Sequence, residues 1–97
     1  MEPSYREKQI KNLQKEDMLV ALSGIIISKG KDTFVLDDGT GNIGVFFDGL
    51  QQEEESYVRV FGRLSSLEEG MEIQADFVQD LRNIDKKLHK KVIKLLE

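Results

Sequence analysis

The chain has 97 residues, no cysteine and one histidine, and its 18 acidic against 14 basic side chains leave a net charge of −4. That length allows one domain with a modest core, because a chain of this size buries about 60–65% of the surface it exposes when unfolded. Without cysteine there is no disulfide framework, no thiolate zinc site and no thiol catalysis, and a lone His89 leaves little room for histidine chemistry.

The charge is unevenly spread. Residues 1–28 balance four basic side chains against four acidic ones, residues 29–79 set four against eleven, and residues 80–97 set six against three. The body is acidic and the tail basic. An acidic body repels phosphate at long range, which argues against strong unaided binding to a polyanion. The opening stretch, MEPSYREKQIKNLQKED, is charged throughout, with no apolar signal-peptide block. No apolar run approaches the roughly 18 residues that span a bilayer, so the expectation is an intracellular protein with no membrane partner.

The first 16 residues offer only Tyr5, Ile10 and Leu13 as sizeable apolar groups, enough for a strap across a core but not for a core. Val20 to Ser28 is rich in β-branched residues with a period of two at Val20, Leu22, Gly24 and Ile26, and reads as the first strand. A polar connection, Lys29 to Asp32, leads to a second strand over Thr33–Asp37. The tight turn Asp38-Gly-Thr-Gly41 then precedes a third strand from Asn42 to Phe47. Asp48 to Ser56 is acidic and reads as a loop or one short helical turn. Tyr57 to Arg63 alternates as a fourth strand, Ser65 to Gly70 turns the chain, and Met71 to Val78 is the fifth strand. The period then changes. Leu81, Ile84, Leu88, Val92 and Leu95 recur at steps of three and four, as on an amphipathic helix, with Asp80 or Asn83 available as N-cap and lysines on the other faces.

This order of elements is that of a five-stranded Greek-key barrel of the oligonucleotide-binding (OB) type, all-β with a C-terminal helix. Phe34-Val-Leu-Asp-Asp-Gly-Thr-Gly41 with Ile43 and Val45, then Tyr57-Val-Arg-Val-Phe-Gly-Arg-Leu64, then Leu81 to Leu96, together resemble the core of the middle subunit of replication protein A. The likeness spans roughly residues 10–97 and extends to Stn1-type and Ten1-type telomere subunits and archaeal single-strand-binding proteins. It implies a strap (1–16), a barrel (17–79) and a docking helix (80–97), without that family's disordered N-terminus or winged-helix domain. The implied role is a non-enzymatic subunit of a single-stranded DNA-binding complex. The barrel would touch DNA weakly, the helix would join other OB-fold subunits or self-associate in isolation, and no cofactor would be needed. The location would be cytoplasmic in an archaeon and nuclear in a eukaryote. The alternatives are an interaction-only subunit of a telomere-capping or recombination complex, favoured by the acidic body, and a transfer-RNA-binding barrel, favoured by the turn alone.

With Val20, Leu22, Gly24, Ile26, Phe34, Leu36, Ile43, Val45, Phe47, Val58, Val60, Ile73 and Ala75 filling the barrel, alternation throws Val35, Phe46, Arg59, Phe61 and Arg63 outward. In barrels of this type a single strand crosses the second and third strands. Phe46 and Val35 would lie on that face, with Lys29 and Lys31 reaching phosphates. Phe46 either stacks on a base or packs beneath a strap or partner, and Arg59 and Phe61 equally suit another subunit. Two features depart from the family. Asp48 stands where it places a large aromatic, and Glu68 and Glu69 edge the groove with negative charge. Leu81, Ile84, Leu88, Val92 and Leu95 form the candidate partner face. The carboxylate pairs Asp37/Asp38 and Glu68/Glu69 lack the spacing of a metal site, and Asp85 and His89 read as a surface pair.

Overall fold

The computed structural model describes residues 4–67 and 70–97. Five strands close into a barrel: β2 (Leu19–Lys29), β3 (Thr33–Asp37), β4 (Asn42–Phe46), β5 (Tyr57–Leu67) and β6 (Gly70–Asp80). A two-residue strand, β1 (Arg6–Glu7), precedes them, and one helix, α1 (Lys86–Leu96), follows. The circuit runs β2–β3–β4–β6–β5 and returns to β2. It is antiparallel except between β4 and β6, where Val45 lies beside Ile73 in parallel register.

The first half of the long β2 pairs with β5 and its second half with β3. The changeover needs Gly24, because a β-carbon there would stand 2.5 Å from the Asp37 carbonyl oxygen. A second close approach is at Gly62, beside the bulge between Phe61 and Gly62 in the β5–β6 ladder. A β-carbon at that position would meet the Gln74 carbonyl oxygen at 2.5 Å. Glycine at such corners lets a sheet bend sharply enough to close.

The period-two pattern puts Val20, Leu22, Ile26, Phe34, Leu36, Ile43, Val45, Val58, Val60 and Ile73 inside the barrel, all buried. Gly24 is buried with them, while Phe47 and Ala75 are half-buried and pack on the edge of this core. Leu13 joins the same cluster from the N-terminal segment. That segment pairs through β1 in parallel with Val20 and Ala21 and makes a 3-10 turn at Ile10–Asn12. Asp38 secures it by accepting the Ile10 N–H at 2.8 Å.

The helix starts later than its apolar period suggests. β6 remains paired with β5 as far as Asp80, opposite Val58. The Asp80 carboxylate accepts the Arg82 N–H at 2.8 Å, closing a turn instead of capping a helix. The N-cap is Asp85, whose Oδ1 accepts the amides of Lys87 and Leu88 at 3.0 and 3.1 Å. Asp80 and Asn83 are therefore not caps, and Leu81 and Ile84 lie before the helix. No helix is long and apolar enough to cross a membrane among the described residues.

Candidate nucleic-acid interface and helix face

The antiparallel register of β3 and β4 sets Thr33 opposite Phe46 and Val35 opposite Gly44, so the outward side chains of the pair share one face. Phe46 is 39% exposed there and Val35 half-buried. Nothing stands within 4 Å of where a Gly44 β-carbon would lie, which leaves the surface between them open. Beyond Phe46 the face dips into a hollow lined by Asp32, Phe47, Asp48, Gln74 and Ala75. Its charges are both negative. Of the two lysines expected to reach phosphates, Lys29 turns toward the acidic loop. Its N–H donates to Glu54 at 3.1 Å, and its ammonium lies 3.9 Å from Glu53. Lys31 is exposed and makes no ion pair among the described residues. Glu68 and Glu69, placed by the sequence at the groove edge, lie outside the described residues.

Arg59, Phe61 and Arg63 do not join Val35 and Phe46. They point outward from β5 into a separate cluster beneath the N-terminal segment. Arg59 is ion-paired with Glu7 and its guanidinium stands 4.8 Å from the centre of the Phe61 ring. Phe61 meets Phe77 at 4.9 Å between centroids, and Tyr5 closes edge-on over both rings. The Tyr5 hydroxyl donates to Asp76 at 2.8 Å, and Arg63 lies 3.4 Å from the same carboxylate. The bond to Asp76 raises the Tyr5 phenol above its ordinary pKa, and burial lowers that of the Arg59 guanidinium. These three side chains are thus engaged within the chain.

The helix rests on the barrel by one edge. Ile93, 7% exposed, is its one buried side chain. His89 Nδ1 lies 2.9 Å from the hydroxyl of the buried Tyr57, and the Glu97 carboxylate accepts from the Gln9 N–H and the Asn12 side-chain amide. The Asp85–His89 surface pair is corrected accordingly: Asp85 caps the helix and His89 bonds Tyr57. Burial, then the charge of Arg59, lowers the imidazole below its ordinary pKa, while burial raises the Tyr57 phenol. Leu81, 6% exposed, is buried against its own barrel and is not part of an open face. Ile84, Leu88, Val92 and Leu95 stay uncovered, joined by Leu96; Leu88 is 62% exposed and Leu95 85%. Repetition at three and four picks out this stripe but cannot tell which neighbouring edge is the anchor. The anchor pair, His89 and Ile93, shares the same four-residue step.

No group of three or more histidine and carboxylate side chains is placed to hold a metal among the described residues.

No protein-family model matches the chain, and no curated protein matches its sequence. Solved structures do match its fold. One chain of the S. pombe Stn1–Ten1 complex aligns over 96% of this chain and 91% of its own length, with a TM-score of 0.77 at 11% identity. One chain of a replication protein A heterotrimer bound to single-stranded DNA aligns over 80% of this chain and 66% of its own length, with a TM-score of 0.63 at 23% identity. The hypothetical protein ygiW from E. coli aligns over 81% of this chain and 94% of its own, with a TM-score of 0.67 at 23% identity. At these identities the likeness establishes architecture alone: a closed OB barrel with a C-terminal helix, like those of replication protein A, Stn1 and Ten1, to which this chain adds the short N-terminal strand β1.

Proposed function

We propose that this chain is a non-enzymatic subunit of a replication-protein-A-like assembly, which docks through α1 and adds weak single-stranded DNA contacts from the β3–β4 face. The observation that carries the reading is the uncovered stripe of Leu88, Val92, Leu95 and Leu96 on the helix, continued by Ile84 just before it, beside an adjoining edge already held by Ile93 and His89. A helix polar on its remaining faces and apolar on one open stripe fits a groove between other helices. Burying what remains exposed of these five side chains is worth about 4–9 kcal/mol before ordering costs, a substantial contribution to holding a complex together. The DNA contact would be slight, with Phe46 as a stacking ring and Lys31, unpaired among the described residues, as a cation from the connection before β3.

An interaction-only role, as in a telomere-capping or recombination complex, is the second reading. It is favoured by the engagement of Arg59, Phe61 and Arg63 within the chain and by the carboxylates of Asp32 and Asp48 beside Phe46. Co-purification from the source cell followed by sizing chromatography tests the assembly. Companion OB-fold subunits should be retained by the native chain and lost with Leu88→Glu/Leu95→Glu; unchanged retention removes the helix from the account. Fluorescence anisotropy of the assembled complex with oligo-dT separates the two readings. Stacking is worth about 1–3 kcal/mol per base, so Phe46→Ala should weaken binding roughly 5- to 150-fold. No effect from Phe46→Ala or Lys31→Ala leaves the interaction-only role.

A further inference from the structure

The outward cluster on β5 and β6 has the composition of a stacking platform, and the chain's own N-terminal segment closes it. Alternate positions of β5 carry Arg59, Phe61 and Arg63, and Phe77 stands beside Phe61 on β6. Opposite Phe61 and Arg59 on β2 are the small side chains of Ala21 and Ser23, over which Tyr5 and Glu7 reach. Tyr5 sets its ring edge-on to both phenylalanines, and Glu7 sets its carboxylate on Arg59. A single nucleic-acid strand offers the same two groups, a flat ring and an anion, and binds where aromatic rings stand among guanidinium groups.

The closure is shallow. β1 pairs only Arg6 and Glu7 with Val20 and Ala21, with one further bond from the Lys8 N–H to the Ala21 carbonyl at 3.2 Å. The firm anchors come later, where Asp38 accepts the Ile10 N–H and Leu13 enters the core. Residues 4–8 can therefore lift while residues 10–13 stay seated. The closed arrangement also leaves polar atoms short of partners: Glu7 Oε2, Arg59 Nε and the Ser23 hydroxyl are buried without a hydrogen bond among the described residues. Each such atom destabilises the closed form, and lifting residues 4–8 returns it to water or to a ligand. Phe77 is 50% exposed even with Tyr5 in place, so one ring can be met before anything moves.

Charge favours the same ligand. Lifting Glu7 leaves two guanidinium groups against one carboxylate, Asp76, which lies 3.4 Å from Arg63. Arg59 is also near enough to the helix for its charge to act on His89, so the face runs toward residues 80–97, the basic end of the chain. The hollow beside Phe46 has only the carboxylates of Asp32 and Asp48 for its charges.

We propose that the outer face of β5 and β6 is a second binding surface for single-stranded DNA, closed in the free chain by Tyr5 in the place of a base and Glu7 in the place of a phosphate. In the open form Phe77 and Phe61 stack bases, and the Arg59 fork, its Nε included, meets a phosphate. The choice of ligand rests on the single-strand reading above, but the residues are separate from the Phe46 face and from the open helix stripe.

Fluorescence anisotropy of the full chain with oligo-dT tests the surface. A site that is closed part of the time binds more weakly by the fraction left open, so Tyr5→Ala/Glu7→Gln should tighten binding by about fivefold or more. Adding Phe77→Ala to that variant should abolish the gain, whereas adding Phe46→Ala should lower the baseline and leave the gain in place. Poly-glutamate of matching length should bind the opened variant roughly tenfold more weakly than oligo-dT, because it has no bases to stack. Hydrogen exchange in the unsubstituted chain gives a readout that no folding defect can obscure. Saturating oligo-dT should speed exchange at the Lys8 amide and leave the Ile10 amide unchanged. No tightening in Tyr5→Ala/Glu7→Gln, a gain that survives Phe77→Ala, equal affinity for poly-glutamate, or a Lys8 amide indifferent to DNA would each overturn the proposal. A Phe46 effect without any effect of opening removes this surface and leaves the β3–β4 reading standing; the reverse result supports this surface and removes that one.

Discussion

Replacing Ile93 and Leu88 in turn separates the edge of the helix that stabilises the chain from the stripe that serves a partner. The two residues lie five apart on the same short helix, yet Ile93 is 7% exposed and Leu88 62%. Ile93→Ala removes three buried carbons at about 0.8 kcal/mol each, or roughly 2 kcal/mol, with any cavity left behind adding to the loss. For a domain near 100 residues each kcal/mol lowers the melting temperature by about 4–8 °C, so the expected fall is about 8–16 °C. Leu88→Ala alters a mostly hydrated side chain and should stay within about 0.5 kcal/mol. Thermal melts followed by circular dichroism measure both in the isolated chain, and sizing chromatography with the co-purified companions measures assembly. The expected pattern is a crossed one: Ile93→Ala costs stability, and Leu88→Ala costs association. An equal loss of stability for the two variants would place Leu88 against the barrel and refute the assignment of the open stripe.

Gly62→Ala should destabilise by about 3 kcal/mol in chemical denaturation, because its new methyl group would stand 2.5 Å from the Gln74 carbonyl oxygen, a backbone atom that cannot step aside cheaply. Gly44→Ala, where the space is empty, should be neutral or stabilising by up to about 1 kcal/mol; equal costs at the two sites would mean that Gly62 is not a corner. Asp38→Ala strips the acceptor from two backbone amides and one hydroxyl and should cost about 2–3 kcal/mol, with faster hydrogen exchange at the Ile10 amide. Unchanged exchange there would detach the N-terminal segment from this turn. The His89 imidazole is held below its ordinary pKa of 6.5 by burial and by Arg59. The unfolded chain therefore binds the proton more readily, and stability rises with pH through the window just below that value, then levels off above it. Protonation also leaves Nδ1 able only to donate to the Tyr57 hydroxyl 2.9 Å away. His89→Gln should flatten this part of the pH–stability profile; an unaltered slope would assign it to other groups.

Most of the barrel could be read from the chain, because alternation in a strand is a local property. Val20, Leu22, Ile26, Phe34, Leu36, Ile43, Val45, Val58, Val60 and Ile73 face inward simply because they sit at even spacing in β-branched and aromatic runs bounded by turns. Long-range pairing decided the rest. The helix begins at Lys86 and not near Leu81 because β6 stays bonded to β5 as far as Asp80, a constraint invisible in the residues of the helix itself. Arg59, Phe61 and Arg63 were legible as outward-facing, yet only the return of Tyr5 and Glu7 across β5 commits them to internal partners. The cleft of about 330 Å³ between α1, the β3–β4 turn and the N-terminal segment has no sequence signature at all. It arises from where β1 stops and β3 starts along a shared edge, with a helix from the far end of the chain laid beside the gap. Periodicity along one element determines which side chains face in or out, whereas the meeting of elements distant in sequence determines what the outward ones touch.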